Sequence, residues 1–269
     1  MSLLEALFLG VIQGLTEFLP ISSSGHLILG REWFGISAGS PEVELMFDLA
    51  LHIGTVCALI LYFWRDLWTY LQAGLSRSPA RSTDRKMAYA IVLGCIPAGL
   101  VGLFFSDQIE AVFRGQNKII AAFLIGFGLL MYLADYLGKK ERPLGKVGFW
   151  DAILIGCAQA LALMPGVSRS GSTLTMGLFL GLQREAAARF SFLMSVPITL
   201  AAAVFSFKKA MDAGIPNDMI APMIAGALAS MIVGMACIAF LLAYLRTKTT
   251  LPFTVYRAIV GIASLVKFW

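Results

Sequence analysis

Charge is what this 269-residue chain has least of. Only 14% of its residues are Asp, Glu, Lys or Arg, where a soluble domain keeps roughly a quarter. Hydrophobic residues make up 58%. The pairing excludes an ordinary water-soluble globule and makes the lipid bilayer the expected solvent. Cysteine is also scarce. Cys57, Cys95, Cys157 and Cys237 lie far apart inside apolar runs, without metal-ligand spacing, and read as small buried hydrophobes. No basic residue precedes Arg31, and Glu5 stands where a secretory signal would be positive, so the first apolar segment is expected to stay in the mature protein. The formal net charge is +5, but the basic residues sit in short loops between apolar runs. That distribution speaks for membrane topology and against nucleic acid as a partner.

A helix needs about 20 residues to cross a ~30 Å hydrocarbon core. Six stretches qualify: 47–64, 87–105, 118–137, 187–206, 219–245 and 252–268. Two regions break off early. Residues 2–19 run into Pro20, and the apolar stretch 26–36 reaches only about 16 Å if helical. Residues 149–163 run into Met164-Pro165-Gly166, and a short stretch, 173–182, follows. Such pairs predict re-entrant hairpins that enter the membrane and return on the same side. Non-helical backbone at that depth survives only beside protein or a watery cavity, so both breaks are expected to line one cavity.

The breaks resemble each other. GVIQGLTEFLPISSSG (10–25) aligns without gaps on GCAQALALMPGVSRSG (156–171), with six identities: Gly10/Gly156, Gln13/Gln159, Leu15/Leu161, Ser22/Ser168, Ser24/Ser170 and Gly25/Gly171. Three spans follow each break. The expected fold is therefore all-α and polytopic, with six transmembrane helices, two re-entrant hairpins (2–36 and 149–182) and two repeats, 1–145 and 146–269. Three crossings per repeat is an odd number, so the second must be inverted. Placing 65–86 in the cytoplasm puts fourteen Lys and Arg inside, Arg257 among them, against six outside: Arg31, Arg114, Lys118, Lys208, Lys209 and Lys267. The positive-inside rule favours that orientation, with both termini outside. The first hairpin then dips in from outside and the second rises from the cytoplasm.

Each break carries S-x-S-G. Glycine after a proline-broken turn lets backbone N–H groups converge, the following helix adds the positive end of its dipole, and serines at the cap supply hydroxyls. Ser22, Ser24, Gly25, Ser168, Ser170, Gly171, Ser172 and Thr173, with the guanidinium of Arg169, thus suit phosphate. Glu17 repels phosphate and needs another purpose: it would hold a divalent cation or act as a general base. Gln13, one turn earlier on the same face, would offer its carbonyl to the same ion or ligand. His26 stands within one helical turn of Ser22 and Ser23, in reach of a hydroxyl proton. Asp48 and His52, at i and i+4, read as a local structural pair.

QGLTEFLPISSSGH and ALMPGVSRSGST resemble the two signatures of the bacterial undecaprenyl-pyrophosphate phosphatases, also called bacitracin-resistance proteins. FDLALHIGT, GCIPAGLVG, FSFLMSVP and PFTVYR extend the likeness over nearly the whole chain. The resemblance implies an inner-membrane hydrolase that removes the terminal phosphate of a polyprenyl pyrophosphate and returns the carrier to peptidoglycan synthesis. Its acidic motif falls on Gln13 and Glu17, its serine and histidine on Ser23 and His26, and its arginine on Arg169, with Ser168 and Thr173 beside it. It also implies dependence on a divalent cation, Mg2+ or Ca2+, for which Gln13 leaves one carboxylate fewer. Beyond the lipid substrate and membrane lipids, a homodimer is the partner to consider. Inverted repeats with broken helices also keep a polyprenyl-phosphate transporter or flippase open as the alternative.

Overall fold

A computed structural model of the chain describes residues 1–113, 115–213 and 216–268. Among these, ten α-helices and two single 3₁₀ turns account for the regular structure, without a named strand. In chain order the helices are α1 (Leu3–Phe18), α2 (Ser23–Phe34), α3 (Pro41–Leu75), α4 (Ser82–Phe113), α5 (Asn117–Leu137), α6 (Phe149–Leu161), α7 (Arg169–Phe179), α8 (Arg184–Ala213), α9 (Asn217–Leu245) and α10 (Leu251–Lys267).

Local chemistry fixes the boundaries. Ser2 and Glu5 form a capping box that starts α1, and Pro20 ends it because proline cannot donate the next helical N–H. Gly35 closes α2 in the left-handed conformation, and Ser40 caps α3 with Pro41 in its first turn.

Among the described residues, five helices are long and apolar enough to cross a membrane. They contain the predicted stretches 47–64, 87–105, 118–137 and 219–245, and 187–206 as far as residue 204. The sixth expected span, 252–268, is the 17-residue α10, about 26 Å long at ~1.5 Å per residue. It also carries Arg257, which the charge count places in the cytoplasm; the structure instead puts that side chain at 0% exposure inside the helix bundle. Arg114 lies outside the described residues, as do the side chains of Lys208 and Lys209. α3 overshoots expectation, running to Leu75 with a kink at Phe63. After residue 64 its sequence, RDLWTYLQAGL, turns amphipathic, so the bilayer criterion stops where the helix does not.

The short helices pack across the chain. α1 lies against α9, and α6 against α4. Both contacts run through aligned glycines. A Cβ on Gly10 would lie 3.0 Å from Gly226 Cα of α9, and one on Gly156 would lie 3.1 Å from Gly94 Cα of α4. Close backbone approach replaces the hydrophobic effect as the source of helix association in lipid. Gly10→Ala is therefore expected to cost about 1–3 kcal/mol, read as a lowered thermal midpoint in detergent. Gly126→Ala is its control, since no atom lies within 4 Å of an added Cβ there.

The inner core gathers Phe18, Phe63, Phe190 and Phe192. Phe18 meets Phe192 edge-on at 5.5 Å, which seats the end of α1, and so Glu17, on α8. Trp64, Trp68, Val92, Phe104, Trp150 and Ile232 face outward, as a lipid-facing surface requires. Ion pairs gather the opposite ends of several helices. Arg184–Asp135 ties the start of α8 to the end of α5, Arg246–Glu185 ties the end of α9 to α8, and Arg142–Asp151 holds the loop before α6. At the other end of α10, Lys267 stands 5.6 Å over the Trp33 ring at the end of α2.

Candidate active site

Both breaks adopt the same turn. Ser22 and Ser168, each the cap residue before a helix, have φ of +77°, a conformation that costs a side-chain-bearing residue about 1–3 kcal/mol and gathers at functional sites. Ser22 Oγ accepts from the Gly25 N–H at 3.4 Å, and Ser168 Oγ from the Gly171 N–H at 3.1 Å. Ser24 and Ser170 hydroxyls lie 3.5 and 3.3 Å from those of Ser22 and Ser168. The breaks touch, for Ser170 Oγ donates to the Leu19 carbonyl at 3.0 Å. Two helix starts with their unpaired N–H groups are thereby brought into one region.

Glu17 is the centre of the cluster. One carboxylate oxygen, Oε1, is held by the Arg169 guanidinium, which also donates to Thr199 Oγ1 at 2.9 Å. The other, Oε2, accepts from Ser23 Oγ at 2.5 Å and from Gln13 Nε2 at 3.1 Å, with His52 Nε2 at 3.7 Å. Ser23 and Arg169 occupy aligned positions of the two breaks, so one carboxylate is gripped from both. An ion pair this far into a membrane protein is expensive, with Glu17 only 6% and Arg169 19% exposed.

The remaining sequence candidates divide. The Ser172 and Thr173 hydroxyls donate to the Arg169 carbonyl at 3.1 and 2.7 Å, and Thr173 also meets Ser191 Oγ at 2.6 Å. Both side chains thus brace the turn that carries Arg169. His26 Nδ1 donates to the Ser22 carbonyl at 2.7 Å, which leaves Nε2 to accept from the Tyr256 hydroxyl at 2.9 Å. The two rings stack at 5.5 Å. In the neutral ring these bonds select the Nδ1–H tautomer, and they engage both ring nitrogens away from Ser23, whose proton points to Glu17 instead.

Four residues near the site escape the sequence reading. His52 donates Nδ1–H to the Asp48 carbonyl at 2.8 Å and turns Nε2 toward Glu17, while the Asp48 carboxylate pairs with Arg31 of α2. Polar groups inside the span 47–64 were the available signal. Arg257 carried the same signal within 252–268. Thr199 and Tyr256 carried none, because only packing brings them in.

Gln13 Oε1 is buried without a partner beside Glu17. It is Nε2 of the same amide that faces the carboxylate, and the orphaned carbonyl oxygen is a ligand type that hard cations take. Among the described residues no three His, Cys, Asp or Glu cluster to hold a metal by themselves. A cation here would lean on one carboxylate, neutral oxygens and ligand phosphates, the pattern Mg2+ tolerates.

The family model for the bacitracin resistance protein BacA matches residues 6–263. The chain belongs to that family. It is 46% identical over 268 residues to an undecaprenyl-diphosphatase of Geobacter metallireducens, covering 99% of this chain and 98% of that one. Over 270 residues it is 44% identical to one of Moorella thermoacetica, covering 100% and 99%. A Thermomicrobium roseum undecaprenyl-diphosphatase is 41% identical over 276 residues, covering 99% and 98%. The chain is a polytopic all-α membrane protein of this family.

Proposed function

We propose that the chain is a membrane hydrolase that cleaves the terminal phosphate from undecaprenyl pyrophosphate, with bacitracin resistance as a consequence. The observation that carries this reading is the contact of Ser23 Oγ with Glu17 Oε2 at 2.5 Å, beside Arg169 and two phosphate-shaped turns. The isoprenoid tail stays in lipid and the diphosphate meets the Glu17, Ser23 and Arg169 cluster. The Arg169 guanidinium and the N–H groups of Ser23, Ser24, Arg169 and Ser170 at the two helix starts bind phosphate oxygens and stabilise the charge that develops on them. Ser23 Oγ attacks the terminal phosphorus, its proton passes to Glu17, and the bond to the bridging oxygen breaks to release the lipid monophosphate. Water then attacks the phosphoserine, freeing inorganic phosphate and restoring Ser23. His26, held in place by Ser22 and Tyr256, orients the α2 turn that presents Ser23.

Glu17 and Gln13 would hold a divalent cation. When bound, it neutralises phosphate charge and draws electron density from the leaving oxygen. Phosphate release from a polyprenyl pyrophosphate by purified protein is the direct test, with activity falling at least tenfold in excess chelator and returning with Mg2+ or Ca2+. No release under any of these conditions would end the reading.

Two inverted repeats, 1–145 and 146–269, fit the matched turns and the reciprocal packing of α1 on α9 and α6 on α4. Removing Arg257 leaves thirteen basic residues against six, which still favours the orientation with termini and cavity on the outer face of the bacterial inner membrane.

A further inference from the structure

Among the described residues Arg257 is the largest fully buried side chain, at 0% exposure, and no carboxylate pairs with it there. Burying a cation in a membrane protein without a counter-ion is costly, so its surroundings have to account for it. Among the described residues every hydrogen bond it makes is to a backbone carbonyl. Nε donates to Leu124 at 2.9 Å and Nη1 to Pro20 at 3.1 Å. Nη2 donates to Phe123 at 3.3 Å, Gly166 at 2.9 Å and Val167 at 3.1 Å. Pro20 belongs to the first break, Gly166 and Val167 to the second, and Leu124 and Phe123 to α5. One planar guanidinium therefore stitches the two interruptions to each other and to a spanning helix. The fork geometry matters here, since a lysine ammonium could not reach along that line of acceptors.

Two consequences follow for the site. In a trans peptide the N–H points opposite to the C=O, so holding the Val167 carbonyl aims the Ser168 N–H away from Arg257 at the start of the second turn. Charge is the second. Glu17 and Arg169 neutralise each other, and Asp48 neutralises Arg31. Arg257 is left as the uncompensated cation, and its Nη1 lies 3.0 Å from where a Cβ on Gly171 would be, at the first turn of α7.

We infer that Arg257 is a positioning residue for the reaction. It locks the two S-x-S-G turns into one anion site and supplies the net positive charge that a diphosphate compensates on binding. This rests on the phosphatase reading for the identity of the anion, but not for the stitching itself.

The experiment uses full-length protein in detergent and follows phosphate release from a polyprenyl pyrophosphate, inhibition by inorganic pyrophosphate, and pyrophosphate binding by calorimetry. Arg257→Lys keeps the charge and loses the stitch, so KM and the pyrophosphate inhibition constant are each expected to rise about tenfold, the effect of losing one charge-assisted hydrogen bond. Arg257→Gln loses the charge too, and its pyrophosphate binding is expected to weaken about a hundredfold. Gly128→Ala displaces the arginine without removing it, because a Cβ there would meet Arg257 Cβ and Nε at 3.3 Å; a rise of about threefold in both constants is expected. A residue that only stabilised the fold would lower the melting temperature and leave KM and pyrophosphate affinity of the folded fraction unchanged. Wild-type values of both in folded Arg257→Lys, or in Gly128→Ala should the lysine variant not fold, overturn the inference. Wild-type protein that releases no phosphate ends the phosphatase reading alone, since the calorimetric comparison still reads the role of Arg257.

Discussion

Arg169→Ala is expected to lower phosphate release by about 10³-fold or more, the range found when a guanidinium that stabilises a transferring phosphoryl group is removed. The same change leaves Glu17 as an unpaired buried carboxylate, 6% exposed, at about 3–5 kcal/mol of stability. These two effects have different partners, which makes them separable. In Glu17→Gln/Arg169→Met the unpaired charge is gone, so the double variant regains stability relative to Arg169→Ala while activity stays lost. A pair that served only as structural glue would behave oppositely, with activity returning alongside the melting temperature. Thr199→Val tests the same arm at lower amplitude. It removes the acceptor of Arg169 Nη1, and about a tenfold loss is expected as the guanidinium loosens. Phosphate release per folded molecule, with thermal melts on the same preparations, checks all three variants.

Much of this site was legible in the sequence, because lipid leaves few explanations for a polar interruption. Pro20 and Met164-Pro165-Gly166 stop apolar runs before they can cross, and the helices end at Phe18 and Leu161 as those residues require. The aligned pairs Ser22/Ser168 and Gly25/Gly171 recur as one cap geometry, and Gly10/Gly156 as two backbone contacts. Residues whose role depends on helix rotation were not legible. His52 reads as a partner of Asp48 on its own helix, but α3 turns its Nε2 to Glu17 and sends the Asp48 carboxylate to Arg31. Arg257 shows the stronger failure. A loop charge and a buried stitch are the same letter, and only the packing of α10 on α5 tells them apart.

Ser23→Ala is expected to cost the most of any single substitution, about 10⁴-fold or more, if its hydroxyl is the nucleophile. Removing it takes away the attacking atom and leaves Glu17 Oε2 with Gln13 as its nearest donor. The fold should barely notice, since Ser23 is only half-buried and Ser22, not Ser23, caps α2. The size of the loss alone does not identify the nucleophile, because a water activated by Glu17 would also suffer from a lost neighbour, by about 10–10²-fold. Trapping does. Rapid acid quenching with a substrate labelled in the terminal phosphate should leave label on the wild-type protein and none on Ser23→Ala, and Glu17→Gln should slow the appearance of label without abolishing it. Label that persists in Ser23→Ala would transfer the attack to another group. A wild type that never carries label, with Ser23→Ala impaired only tenfold, would assign the attack to water and reduce Ser23 to a phosphate ligand.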